Sequence, residues 1–181
     1  MRHHIIHRIK VLTAIILLQT TVLALGCRAQ LPSVTLRTMD GEVVTTDTLS
    51  NGGRPFIIDF FATWCKPCNR CLDAIADVYD EWVRETGVRL IAVSIDQAQN
   101  INKVRPLVDS HDWPYDVLLD PNGDLKRALG VQMIPFSLII DGDGKIVYKH
   151  NGYTDGDENE ILPLLKSLVN ESPSTSAEEK E

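Results

Sequence analysis

The sequence predicts an α/β sandwich built on a mixed β-sheet. Three observations carry that reading. Short, nearly continuous apolar runs at 55–61, 88–95 and 136–140 have the length and composition of buried strands. Between the first two lies a stretch with apolar residues at 68, 72, 75, 79 and 82, the spacing of one helix face. Two turn signals, Asp40-Gly41 and Asp141-Gly142-Asp143-Gly144, interrupt extended segments and mark hairpins.

Taken in order, residues 33–37 alternate, turn at Asp40-Gly41 and resume at 42–44, an N-terminal hairpin. The aromatic-rich run 55–61 reads as a central strand. The helix over 66–86 closes at Gly87, and 88–95 is the next strand. Residues 102–111 form a helix that tolerates Pro106 only near its first turn. A strand at 115–119, a turn at 120–123 and a short helix at 124–129 ended by Gly130 follow. Strands at 136–140 and 145–149 make the second hairpin, and 157–169 is a final helix. Strands alternating with helices imply a sheet covered by helices.

The chain has 181 residues, 44% hydrophobic and 24% charged, which is ordinary for a globular protein. Its formal charge of −7 argues against nucleic acid as a partner. Residues 1–29 read as a signal peptide: Arg2, Arg8 and Lys10 make a positive start, no acidic residue precedes Asp40, and 11–25 is mostly apolar but interrupted by Gln19, Thr20 and Thr21. An uncleaved membrane anchor is the alternative. Leu23-Ala24-Leu25-Gly26-Cys27 resembles a bacterial lipobox with Cys27 lipidated, and Cys27-Arg28-Ala29 equally fits cleavage after Ala29. Both readings send the protein to the periplasm or another oxidising, extracytoplasmic side of a membrane, with membrane contact only through a lipid anchor on Cys27. Residues 30–170 form one domain, and 171–181 lack large apolar side chains and read as a disordered acidic tail.

Trp64-Cys65-Lys66-Pro67-Cys68 sits between a buried strand and a long helix. Thiol–disulfide exchange needs a thiolate, and a helix N-terminus stabilises one through its free N–H groups and dipole. Pro67 suits the first turn because its missing N–H would have no partner there. A Cys-x-x-Cys pair also serves zinc sites, structural bridges and haem attachment. Asn69 stands where haem attachment needs His, and residues 30–181 hold no second Cys or His pair for zinc. Cys71 extends the pattern to Cys-x-x-Cys-x-x-Cys. It reads either as a small core residue or as a second resolving thiol or soft-metal ligand.

The segment Asp59-Phe60-Phe61-Ala62-Thr63-Trp64-Cys65-Lys66-Pro67-Cys68 resembles the active-site stretch of the thioredoxin superfamily. Val131-Gln132-Met133-Ile134-Pro135, followed by Phe136-Ser137-Leu138-Ile139-Ile140-Asp141, is similar to its cis-proline loop and following strand. The insertion over 97–119, the N-terminal hairpin and the export signal resemble the TlpA-like extracytoplasmic thioredoxins. The resemblance implies a thioredoxin-like three-layer sandwich carrying an inserted helix–strand unit. It implies an exported thiol–disulfide oxidoreductase whose Cys65–Cys68 pair reduces protein disulfides, with Asp59 as general base for Cys68. Pro135 would be cis, Ile134 would pair with an extended substrate, and Trp64 would shield the disulfide. No cofactor is implied; the partners would be protein thiols and disulfides and a membrane electron donor. The alternative function is a periplasmic metal or haem-apoprotein chaperone using the same cysteines. For Asp59 the alternative is a salt-bridged strand-edge carboxylate, and no lysine to tune it is evident in Ile91-Ala92-Val93-Ser94. Peroxiredoxins carry Pro-x-x-x-Thr-x-x-Cys; Thr63 lies two residues before Cys65 and Pro55 ten before, so that register fails. His111 and His150 read as surface residues.

Overall fold

The computed structural model describes residues 30–171. The expected signal peptide, Cys27 and the tail past residue 171 lie outside the described residues. The N-terminal hairpin forms from β1 (Thr35–Thr38) and β2 (Val43–Thr45), with Leu36 opposite Val44. Strand β3 (Phe56–Phe61) is buried at all six positions, which is why its sequence is a continuous apolar run broken only by Asp59. It leads into α1 (Lys66–Thr86), then β4 (Arg89–Ser94). A single 3-10 turn at Ile101–Lys103 precedes α2 (Val104–His111), so Pro106 does fall within the first helical turn. Then come β5 (Asp116–Leu119), α3 (Asp124–Ala128), β6 (Phe136–Ile140), β7 (Ile146–Asn151) and α4 (Glu158–Glu171).

The sheet order is β2-β1-β5-β4-β3-β6-β7. Strands β3, β4 and β5 run parallel, and the remaining pairings are antiparallel, so the sheet is mixed. The period of two along β3 divides its side chains between two core layers. Ile57 and Phe61 pack with the buried faces of α1, α2 and α4, including Leu72, Trp82, Val104 and Leu165. Phe56, Ile58 and Phe60 pack on the other side with Leu125 of α3, Val131 and Leu36. That is the three-layer sandwich the sequence implies.

Helix α1 buries each of the apolar positions that its periodicity marks, together with Cys71 and Thr86. It stops at Gly87, which takes φ 65° and donates its N–H to the Val83 carbonyl, a left-handed cap that glycine adopts without strain. The Asp141–Gly144 turn lies against the 52–53 loop so closely that a Cβ on Gly142 would stand 2.0 Å from the Gly53 carbonyl oxygen. Most element boundaries shift by one or two residues from the sequence expectation, those of β5 and β7 among them. Strand β5 begins at Asp116, where its pairing with Ile91 of β4 starts, and the buried Tyr115 before it donates its hydroxyl to the Leu72 carbonyl. Strand β7 runs on to Asn151, which extends its pairing with β6 and places His150 opposite Ser137.

Candidate functional site

Cys65 is the N-cap of α1, and its Sγ accepts from the Cys68 N–H at 3.3 Å. The two cysteines form a disulfide with Cα atoms 5.3 Å apart. The closure is local: one helical turn brings residues 65 and 68 together, and the extended backbone of Cys65 turns its sulfur over the first turn. Pro67 sits in that turn, and no acidic residue there opposes a thiolate. Cys65 is 5% exposed and Cys68 is fully buried, so a partner can reach the sulfur pair only from the Cys65 side.

The loop before the helix is held by a carboxylate. Asp96, just past β4, is 1% exposed. Its Oδ2 accepts from the Thr63 backbone N–H at 2.7 Å and from the Ser94 hydroxyl at 2.9 Å, and its Oδ1 accepts from the Thr63 hydroxyl at 2.7 Å. Parallel pairing of β3 with β4, Phe61 opposite Ser94, brings these residues together. Sequence reading missed Asp96; its signal was a polar residue at the end of an apolar strand.

Trp64 is 64% exposed and therefore does not sit as a closed cover over the disulfide. It forms one wall of an open, largely polar groove of about 880 Å³ that also involves Asn100, Lys126 and Gln132. The groove brings the Trp64 loop beside the Val131-Gln132 segment, which continues through exposed Met133 to a cis Ile134–Pro135 bond at the start of β6.

Asp59 is wholly buried, on the face of β3 that carries Ile57 and Phe61 toward the layer holding Cys65, Cys68 and Cys71. Its Oδ2 accepts the Ser137 hydroxyl at 2.5 Å, and its Oδ1 has no hydrogen-bond partner among the described residues. Among the described residues no arginine pairs with it, which speaks against the salt-bridged alternative. Its register neighbours on either side are Ala92 on β4 and Ser137 on β6, neither of them a cation. Burial without a compensating charge pushes its carboxyl up from 3.8 to about 7, and the Ser137 hydrogen bond only partly offsets that.

Cys71 is free and buried, and desolvation, then the charge of Asp59, holds its thiol well above the ordinary range. It is an inert core thiol in this geometry. Among the described residues no group of three or more His, Cys, Asp or Glu could hold a metal ion, and no helix is long and apolar enough to cross a membrane. The surface reading of the two histidines needs correction. His111 is part-buried: its Nδ1 lies 2.7 Å from Asp73 Oδ1, which also accepts the Trp113 indole N–H, and this joins α2 to α1. His150 is likewise part-buried and pairs with Asp157 at 3.1 Å.

Comparison with known proteins places these features in a family. The model of the AhpC/TSA family matches residues 27–149. A thiol-disulfide oxidoreductase ResA from Bacillus thuringiensis subsp. konkukian is 28% identical over 117 residues, 65% of each chain. The chain thus spans just under two thirds of that relative's length. The thioredoxin-like protein YneN of Bacillus subtilis is 30% identical over 124 residues, covering 68% of this chain and 70% of that one. The solution structure of a thioredoxin-like protein from Porphyromonas gingivalis shares 57% identity and superposes with a TM-score of 0.71 over 80% of this chain and 94% of that one. A matched family model across most of the chain, on a thioredoxin-like sandwich with its cysteine pair at the head of α1, means that this protein belongs to the AhpC/TSA family.

Proposed function

We propose that the protein is an exported thiol–disulfide oxidoreductase that reduces disulfides in protein substrates. The observation that carries this reading is the Cys65–Cys68 disulfide at the N-terminus of α1, with Cys65 outermost. Reduction of the pair frees Cys65 as the thiolate, which the helix dipole and the Cys68 N–H stabilise. That thiolate attacks one sulfur of a substrate disulfide, and the other substrate sulfur leaves as a thiolate. Cys68 then loses its proton to Asp59 and attacks Cys65, which expels the second substrate thiolate and re-forms the Cys65–Cys68 bond. Two electrons pass from the protein to the substrate, so an electron donor at the membrane must restore the dithiol in an oxidising compartment.

Trp64, Ile134 and Pro135 would form the docking surface, with the backbone of Ile134 pairing with an extended substrate. The names of the relatives support the reaction class. The positively charged, acid-free start of the chain supports export, with Cys27 as the lipid-anchor candidate. Lys66-Pro67 between the cysteines has no histidine to stabilise the thiolate further, which favours a reducing couple. Equilibration with glutathione tests the direction. The expected potential lies nearer the about −270 mV of thioredoxin than the about −120 mV of a strong exported oxidant. A value at the oxidising end would make the protein an oxidant of folding chains, and failure to turn over insulin with dithiothreitol would remove the enzymatic reading altogether.

A further inference from the structure

A row of polar side chains crosses the sheet from its centre to its edge. Asp59 on β3 is paired in register with Ser137 on β6, and Ser137 is paired with His150 on β7, the last strand of the sheet. Residues directly opposite one another in antiparallel strands project from the same face. All three therefore stand on the side covered by α1 and α4. Exposure rises along the row: Asp59 is fully buried, Ser137 is part-buried, and the side chains of His150 and Asp157 are 35% and 32% exposed.

The links are hydrogen-bonded at both ends. Ser137 donates to Asp59, and His150 Nε2 lies 3.1 Å from Asp157 Oδ2. Asp157 is itself fixed, because the same oxygen accepts the Thr154 N–H at 2.8 Å. The Tyr148 hydroxyl stands 3.4 Å from His150 Nδ1, and the two rings lie parallel. Ser137 and His150 both line a cavity of about 40 Å³, walled also by Cys71 and Ile75 of α1, Tyr148 of β7, Tyr153 and Asp157 ahead of α4, and Glu158, Glu160 and Ile161 of α4. One water needs roughly 10–15 Å³ of such space and two or more polar partners, so the cavity can hold water.

We propose that Ser137, the hydrated cavity and His150 form a proton-exit relay that carries the proton Asp59 takes from Cys68 out to solvent, with Asp157 orienting the imidazole. This rests on the reading of Asp59 as the base. Asp59 has no direct opening to solvent, so the proton it gains either returns to Cys68 when the disulfide is next reduced or needs a route out; the row supplies that route. The step moves one proton and no electrons: once Asp59 is protonated the hydrogen bond to Ser137 reverses, the carboxyl gives its proton to the Ser137 oxygen as that hydroxyl gives its own to a cavity water, and the water passes a proton to His150 and then to bulk solvent. The other titratable groups facing the route are Cys71, Tyr148, Tyr153, Glu158 and Glu160. Of these, Cys71 and Tyr153 hold their protons more tightly than usual, largely through burial, and so do not compete for transfer near neutrality. His150 is a positioning and relay residue; it does not touch the sulfurs.

The test follows single-turnover oxidation of the reduced full-length protein by oxidised glutathione, read by tryptophan fluorescence, from pH 5.5 to 8.5. Four variants are compared: His150→Ala, His150→Gln, Ser137→Ala and Asp59→Asn. His150→Gln keeps a hydrogen-bond donor for Asp157 but carries no titratable proton, so it separates relay from folding. The expected result is resolution slowed on the order of tenfold in both His150 variants. Imidazole in the buffer should restore His150→Ala, and His150→Gln should add nothing in an Asp59→Asn background. Wild-type pH profiles in both His150 variants, or no rescue by imidazole, while Asp59→Asn remains defective, would overturn the relay alone. An unchanged profile in Asp59→Asn would remove the base assignment and the relay with it.

Discussion

Asp96 grips Thr63 twice, taking the backbone N–H on one carboxylate oxygen and the hydroxyl on the other, each at 2.7 Å. Thr63 and Trp64 connect β3 to the disulfide, so this clasp sets where α1 begins and where Trp64 stands. Asp96→Ala leaves the Thr63 N–H and the Ser94 hydroxyl without their charged acceptor. Bonds to charged groups are worth about 1.5–3 kcal/mol each, and the expected loss is about 2–4 kcal/mol in urea unfolding. Asp96→Asn keeps one acceptor and should lose about half as much. A loss below about 0.5 kcal/mol in Asp96→Ala would show the clasp to be dispensable.

The burial difference within the cysteine pair gives a labelling order. Reduced protein treated with iodoacetamide at mildly acidic pH should modify Cys65 first, because only that sulfur combines a helix N-terminus with an open side. Cys71 should resist until the protein unfolds. Cys68→Ser should accumulate the mixed disulfide with substrate, whereas Cys65→Ser should form none. Labelling of Cys68 ahead of Cys65 would reverse the two roles.

Trp64 is too exposed to support the fold, so its removal tests the proposed docking role apart from stability. Trp64→Ala should change unfolding free energy by less than about 0.5 kcal/mol, the usual range for surface positions. It should raise KM for a protein disulfide severalfold while leaving turnover of a small disulfide near wild type. Equal losses with both substrates would place Trp64 in the chemistry itself.

The parts of the site that follow from local sequence were legible. Cys65, Pro67 and Cys68 lie within one helical turn, and the strand-to-helix switch that carries them is written in a change of apolar period from continuous to helical. The core face of α1 could be read for the same reason. Ser137, His150 and Asp96 could not, because their meaning depends on register. Ser137 reaches Asp59 across 78 positions of sequence, and only the antiparallel pairing of β6 with β3 shows that the two are opposite. His150 reads as a surface residue from sequence because no ligand partner stands at suitable spacing, and the carboxylate it pairs with, Asp157, comes from beyond the strand. The odd residue inside β3 was visible as a polar interruption. Its neighbours follow only from register: Ala92 lies beside it on β4 and Ser137 on β6, neither a cation.

Asp59 makes the oxidised protein less stable as pH rises, and the direction follows from its carboxyl. In the folded state that group keeps its proton up to about pH 7, against 3.8 for the ordinary carboxyl. Between these values the native state binds more protons than the unfolded one, so unfolding free energy falls with increasing pH. The contribution is full below about pH 4 and is lost through pH 7. A shift of this size corresponds to up to about 4 kcal/mol. Asp59→Asn has no such titration. It should match wild type within about 1 kcal/mol in urea unfolding at pH 4.5 and exceed it by about 2–4 kcal/mol at pH 8. The same substitution should slow resolution of the mixed disulfide, so stability is gained where activity is lost, as expected when a buried charge is kept for its chemistry. An equal stability difference at both pH values would show that Asp59 ionises in the folded protein as it does in the unfolded chain, and that burial does not tune its carboxylate to take the Cys68 proton near neutrality.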